Sequence, residues 1–200
     1  MIGIAAIVIA YLVGGIPFGF LLVKWKTGKD VRAAGSGNIG ATNVLRTTGR
    51  AIAVVTLLLD IAKGTFAVWL ADYLTNGDPT WMSAAALAVI AGHAYPVFLK
   101  FKGGKAVASF TGAFAYLTPL PMLAIAIVFI IVVAATRYIS AGSVVCAAMF
   151  PFGVWMILHP PAPVLLAAFI GGAFIVYRHQ GNIARLRAGN ENVFAWKKSK

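Results

Sequence analysis

From Ile2 to Val23 no charged residue interrupts the chain. An apolar stretch of that length is what a helix needs to cross the ~30 Å hydrocarbon core of a bilayer, which takes about 20 residues. Six further apolar runs follow: Ala51–Ala71, Met82–Leu99, Ala106–Leu117, Pro121–Thr136, Ala141–Leu158 and Pro163–Tyr177. In hydrocarbon every backbone polar group must find its partner inside the protein, so such runs become helices. Thr118-Pro119-Leu120-Pro121 separates the fourth and fifth runs, because each proline lacks a donor and crowds the preceding turn. The expected fold is an all-α integral membrane protein of seven transmembrane helices, with Ala106–Leu117 short. A soluble alternative fails on composition: 60% of the 200 residues are hydrophobic, only 11% are charged, and the mean hydropathy is +0.88. The size suits one membrane-embedded domain over residues 1–200, with 194–200 expected to form a flexible cytoplasmic tail. The first residues lack a basic region, so the first run reads as a retained helix and not a cleaved signal.

Charge orients the bundle. The formal net charge is +12, from 17 Lys+Arg against 5 Asp+Glu. In a soluble protein that excess would suggest nucleic acid; here it predicts topology and contact with anionic lipid headgroups. Basic residues follow the first, third, fifth and seventh runs, whereas the segments 72–81, 118–120 and 159–162 hold no Lys or Arg. The positive-inside rule then predicts an outside N-terminus and a cytoplasmic C-terminus. A six-helix arrangement would put the basic tail opposite the Arg46 loop, which charge disfavours. Asp60 and Lys63 stand inside the second run. Buried charges cost a few kcal/mol each, and the i, i+3 spacing allows a structural ion pair or a role near a substrate. Cys146 is the single cysteine, so no intramolecular disulfide and no thiolate metal cluster is expected.

Four polar motifs lie on the basic side. Gly35-Ser36-Gly37-Asn38-Ile39-Gly40 matches the dinucleotide pattern G-x-G-x-x-G, with Asp60 twenty residues past the last glycine, but membrane runs flank it where a βαβ unit is required. Its glycines could still form an anion-binding nest, with Thr42 or Asn43 capping a helix and Arg46 one turn beyond. A guanidinium suits bidentate phosphate contact. The second motif runs from Gly92-His93-Ala94-Tyr95-Pro96 to Lys102-Gly103-Gly104-Lys105. It fails as a Walker A loop, having Leu99 for the first glycine and Ala106 for Ser or Thr, and Phe98 stands where the soluble acyltransferase pattern needs Asp. Lys105 reads as functional, Lys100 and Lys102 as interfacial, and His93 as either packing or substrate contact. Arg137-Tyr138-Ile139-Ser140-Ala141-Gly142-Ser143 opens the sixth run, where Ser140 or Ser143 would make an N-cap. Arg178-His179-Gln180-Gly181-Asn182 leaves the seventh, followed by a basic stretch suited to the membrane surface. Three helix N-termini and two or more cations on one face predict a pocket for one or two phosphates.

Taken together, Ser36–Asn43, Gly92–Val97 with Lys102–Lys105, and Arg178-His179 with Asn182-Ile183 resemble the bacterial acyl-phosphate:glycerol-3-phosphate acyltransferases, the PlsY family. The resemblance implies a seven-helix inner-membrane enzyme. Such an enzyme acylates the sn-1 hydroxyl of glycerol 3-phosphate from a fatty acyl phosphate, making lysophosphatidic acid and phosphate. The family's functional positions would fall on Ser36, Thr42, Arg46, Lys105, Ser143, His179 and Asn182. Ser36, Lys105, Ser143 and His179 are the expected catalytic residues. Gly37, Asn38, Gly40, Thr42, Asn43, Arg46, Gly103, Gly104 and Asn182 are the expected phosphate ligands, with His93, Asp60 and Lys63 as further candidates. The implied partners are glycerol 3-phosphate, fatty acyl phosphate and membrane lipid, with no nucleic acid and no obligate protein partner. The implied place is the bacterial cytoplasmic membrane, multi-pass, with the site facing the cytoplasm.

The residues agree with that chemistry. Asp30 and Glu191 are the only carboxylates in these motifs, so no Ser-His-Asp triad, carboxylate pair, metal or cofactor site is expected. An acyl phosphate is already activated, which favours direct attack without an acyl-enzyme, the proton passing to His179, His93 or a substrate phosphate oxygen. An organic-phosphate transporter would use converging helix ends too, but the chain has no internal repeat and its polar groups lie near one face. A structural adaptor would leave the polar motifs unexplained.

Overall fold

The computed structural model describes residues 1–194, and these are helical with no strand among them. They divide into two compact units, Met1–Leu117 and the chain from Thr118 onward.

The first unit holds α1 (Ile2–Gly14), α2 (Phe18–Thr27), α3 (Ala41–Thr47), α4 (Arg50–Thr75), α5 (Pro79–Ala94) and α6 (Val107–Leu117). The first apolar run is therefore broken, not continuous, although Ile2–Thr27 as a whole is long and apolar enough to span. Pro17 causes the break: it has no N–H to continue the ladder. The buried Lys63 Nζ donates to the Ile16 carbonyl at the break (2.9 Å). A short helix, α3, precedes the one that carries the second apolar run. Gly49, at φ +118, turns the chain between α3 and α4. α5 ends at Ala94, earlier than the expected Leu99, because Tyr95 precedes Pro96 and is pushed out of helical geometry. A 3₁₀ turn at Val97–Leu99 follows.

Small residues let these helices approach closely, the usual device where lipid supplies no hydrophobic drive between helices. A Cβ on Gly112 would collide with the Ile61 carbonyl, and one on Gly64 with that of Ser109, so α4 and α6 touch backbone to backbone. Thr65 Oγ1 donates to the Gly112 carbonyl across the same seam (2.9 Å). Gly14 against Val89 and Gly92 against Tyr11 do the same for α1 and α5.

The second unit holds α7 (Pro119–Thr136), α8 (Ile139–Leu158), α9 (Ala162–Arg178) and α10 (Gln180–Arg187). α8 packs on α7 and α9. Pro119 and Pro121 sit in the first turn of α7, where a missing N–H costs nothing. Leu123, Ile127, Ile130 and Ile131 point outward, a face suited to lipid. Phe194, assigned to the tail in the expectation above, donates its N–H to the Arg137 carbonyl (2.7 Å). The rest of that expected tail lies outside the described residues.

Among the described residues, five helical stretches are long and apolar enough to cross a membrane: Ile2–Thr27, Arg50–Thr75, Pro79–Leu99, Pro119–Thr136 and Ile139–Leu158. A sixth arises if α9 and α10, bent by 57°, count as one span, and Val107–Leu117 is a shorter apolar helix.

Candidate functional site

The glycine loop is built around one buried side chain. Val23, Val31, Ile39, Val44, Ala53 and Leu99 form an apolar cluster that pins both ends of the loop. Asp30 caps the 3₁₀ turn Val31–Ala33 by accepting from Arg32 N (2.9 Å) and pairs with the Arg32 guanidinium (2.7 Å), which holds the Asp30 carboxyl below its ordinary value. Gly35 (φ +62) and Gly37 (φ +69) then take the left-handed region that glycine enters most cheaply. Asn43, 1% exposed, fills the turn from beneath. Its Oδ1 accepts from Ser36 N (2.8 Å), and its Nδ2 donates to the carbonyls of Val31 (3.1 Å), Ala34 (3.1 Å) and Asn38 (2.8 Å).

Asn43 is the core of the loop, with its side-chain amide committed inward. Neither Thr42 nor Asn43 caps a helix: Gly40 is the N-cap of α3 and no side chain bonds there. The nest donors are engaged within the loop, since Gly37 N bonds Ala34 O (3.2 Å) and Gly40 N bonds Asn38 Oδ1 (2.8 Å). Gly37, Asn38 and Gly40 therefore give the loop its shape. Ser36 is left exposed at the tip, with Thr42 and Arg46 half-buried on α3.

The second motif rests on a buried polar chain. Lys63 Nζ meets Asp60 Oδ1 (2.8 Å), so the intramembrane charges do form an ion pair along α4. His93 Nδ1, from α5, lies 3.1 Å from Ser109 Oγ on α6 and 3.6 Å from Asp60 Oδ1. Gly103 and Gly104 pass directly over this residue. Their N–H groups donate to the carbonyls of Ala94 and His93 (3.1 Å each), which shapes the turn. Lys105 follows, half-buried, between Phe101 (φ +61) and Ala106 (φ +63). Left-handed backbone at non-glycine residues is costly and concentrates at functional loops. Lys100 and Lys102 are exposed, as an interfacial role requires.

The second unit carries the remaining positions. Ser143 lies buried one turn into α8 and donates to the Ile139 carbonyl (3.0 Å); the N-cap there is Tyr138, so neither Ser140 nor Ser143 caps the helix. His179 is the bend between α9 and α10. Its Nδ1 contacts the Ile175 carbonyl (2.7 Å), which can only accept, so Nδ1 carries the proton and Nε2 is the basic nitrogen. Asn182 donates to Glu191 Oε1 (2.8 Å), and Arg185 Nε donates to Oε2 (2.8 Å). Burial pushes the Glu191 carboxyl up, but these two donors outweigh it and hold it below its ordinary value. Glu191 is not among the expected site residues; its signal in the sequence is a lone acid in a basic segment, nine residues past the expected ligand Asn182.

Known proteins are similar to this chain in sequence and in fold. The family described as "Glycerol-3-phosphate acyltransferase" matches residues 4–189. A relative from Geobacter sulfurreducens with that name is 47% identical over 93% of this chain and 94% of its own. One from Gloeobacter violaceus is 44% identical over 91% of this chain and 90% of its own. Among solved structures, the glycerol 3-phosphate form of PlsY (YgiH), an integral membrane glycerol 3-phosphate acyltransferase, superposes with a TM-score of 0.92 at 36% identity, covering 96% of both chains. The lysophosphatidic acid form gives 0.88 at 34% identity over 97% of this chain and 96% of that one.

Proposed function

The chain belongs to the glycerol-3-phosphate acyltransferase family of integral membrane enzymes, and from that premise we propose that it moves a fatty acyl group from acyl phosphate to the sn-1 hydroxyl of glycerol 3-phosphate. The observation that carries this reading is a similar enzyme solved in both a glycerol 3-phosphate and a lysophosphatidic acid form, an acceptor and its acylated product.

The step needs no acyl-enzyme. The glycerol hydroxyl oxygen attacks the acyl carbonyl carbon, the tetrahedral oxyanion collapses, and the bond to the phosphate oxygen breaks. Lysophosphatidic acid and inorganic phosphate leave, and the hydroxyl proton ends on the departing phosphate or on His179 Nε2. His93 is a poor acceptor, being buried with its ring against Gly104. In the first unit, Ser36, Thr42, Arg46 and Lys105 hold phosphate oxygens; cations and hydroxyls on a rigid loop stabilise such charge better than mobile ones do. In the second, Ser143, His179 and Asn182 serve the reaction, with Glu191 fixing Asn182.

The membrane arrangement is seven spans, Val107–Leu117 being the short one, with the N-terminus outside and the C-terminus cytoplasmic. Lys24, Lys26, Lys29, Lys100, Lys102 and Arg137 support it through the positive-inside rule. The site would then face the cytoplasm across the inner membrane. The test is purified protein in detergent with glycerol 3-phosphate and an acyl phosphate, run beside acyl-CoA and acyl carrier protein donors. Lysophosphatidic acid from acyl phosphate alone is expected. Phosphate release without it would defeat the acyltransferase reading, and glycerol 3-phosphate movement into vesicles without acylation would favour a transporter.

A further inference from the structure

Resting on that reading, we propose that His93 is a positioning residue: its imidazole is the floor on which the Gly103–Lys105 turn sits, and a buried chain of polar groups fixes that floor. The turn hangs from the last residues of α5 by the bonds of Gly103 N to Ala94 O and Gly104 N to His93 O. A Cβ on Gly104 would collide with His93 Nε2, and one on Gly103 with the His93 carbonyl. Neither glycine has a positive φ, so what each requires is absent volume and not backbone freedom.

The ring cannot shift, because Nδ1 is held from the other side. Ser109 Oγ on α6 lies at 3.1 Å and Asp60 Oδ1 on α4 at 3.6 Å; Asp60 pairs with Lys63 at 2.8 Å, and Lys63 bonds Ile16 O at 2.9 Å. The chain thus ties the α1–α2 break, α4, α5 and α6 to one imidazole. All four side chains are buried. An apolar cluster of the same volume would pack at lower cost, since buried ions lose hydration. What a buried network of ion-pair and hydrogen-bond contacts adds is one fixed geometry. Here that geometry sets the height at which Lys105 leaves the turn. A displacement of about 1 Å at such a residue is enough to cost around a hundredfold in rate.

Two pairs of variants separate this role from general packing. His93→Ala and Gly104→Ala should each lower kcat/KM at least tenfold, chiefly through KM for glycerol 3-phosphate. Because the ring is the obstacle to the Gly104 Cβ, the double variant should be no worse than either single one. Gly103→Ala meets a main-chain oxygen that His93→Ala keeps, so there the losses should multiply. His93→Asn, which keeps a polar group near the Nδ1 position but removes the ring, should unfold near the wild-type temperature and still show the raised KM. Calorimetric binding of glycerol 3-phosphate to the same proteins reads the placement of Lys105 without turnover. A His93→Asn protein with wild-type KM and affinity would overturn the proposal, as would multiplying losses in the His93–Gly104 pair. A wild-type protein that makes no lysophosphatidic acid would instead defeat the functional reading, leaving the calorimetric comparison to judge this one.

Discussion

Asn43→Asp keeps the shape of the side chain and removes only its donors. In the native loop the Asn43 amide spreads two N–H groups over three carbonyls, those of Val31, Ala34 and Asn38, while its oxygen accepts from Ser36 N. The variant retains the Ser36 bond but turns an oxygen toward the three carbonyls. Losing two net hydrogen bonds costs about 2 kcal/mol, and leaving buried acceptors unmet adds about 1–3 kcal/mol. The loop should therefore open about 3–5 kcal/mol more easily, which raises its exchange-competent population roughly 10² to 10⁴-fold. Hydrogen exchange of the peptide spanning 31–43 should show that loss of protection, while α8 and α9 exchange as before. KM for glycerol 3-phosphate should rise, because Ser36 rides on this loop. The introduced carboxyl is buried among carbonyl oxygens, so its folded-state pKa lies above the ordinary carboxylate value. A raised folded pKa gives stability that is full below the unfolded pKa and lost as pH rises through the folded one. The deficit against wild type should thus shrink on acidification, when the protonated acid again donates. Wild-type exchange and KM for Asn43→Asp at neutral pH would refute the claim that the amide donors hold the loop.

Lys105→Ala and Arg46→Ala should each cut kcat/KM by at least a hundredfold, whereas Lys26→Ala at the exposed end of α2 should change it less than threefold; equal losses in an activity assay would mean that the cations act only through the membrane surface. Gly112→Ala should lower the unfolding temperature in detergent, costing about 1–3 kcal/mol as overpacking does, because its Cβ meets the Ile61 carbonyl; Gly153→Ala, with open space around it, should be neutral or stabilising. The Glu191 carboxyl is held below its ordinary value of 4.5, so its contribution to stability is present above that value and is lost as pH falls through the folded-state pKa. Glu191→Gln should cost about 1 kcal/mol at neutral pH through the lost Arg185 pair, and should flatten the acid limb of unfolding temperature against pH; an unchanged acid limb would count against the Glu191 contacts with Asn182 and Arg185.

The spans were legible because their signal is length and polarity, which the bilayer reads without regard to tertiary detail. The punctuation inside them was less so. Gly15-Ile16-Pro17 marks the unexpected break, yet proline and glycine also occur within continuous membrane helices, as Pro151 does in α8. In the polar motifs, residue types do not give the direction of each side chain. Asn43 turns inward, which only the closed loop reveals. Glu191 reaches Asn182 only after the chain returns past α10, and His93 meets Asp60 across two helices.

The glycines carry the same lesson in testable form, because a glycine answers two different needs that look alike in a sequence. Gly37 has φ +69 and no closer neighbour than Arg32 O at 3.5 Å, so it is needed for backbone conformation alone. Gly104 has no positive φ but would strike the His93 ring, so it is needed for space alone. Gly35 needs both, with φ +62 and the Asn43 side chain in the way. Asparagine enters the left-handed region more readily than other L-residues but occupies more volume than alanine. Gly37→Asn should therefore unfold at a higher temperature than Gly37→Ala, which meets about 1–2 kcal/mol of backbone strain. At position 104 the order should reverse, alanine being the milder change, and at position 35 both substitutions should be destabilising. The same ranking at all three positions would mean that conformation and volume have been assigned wrongly, and with them the reason the two glycine motifs exist.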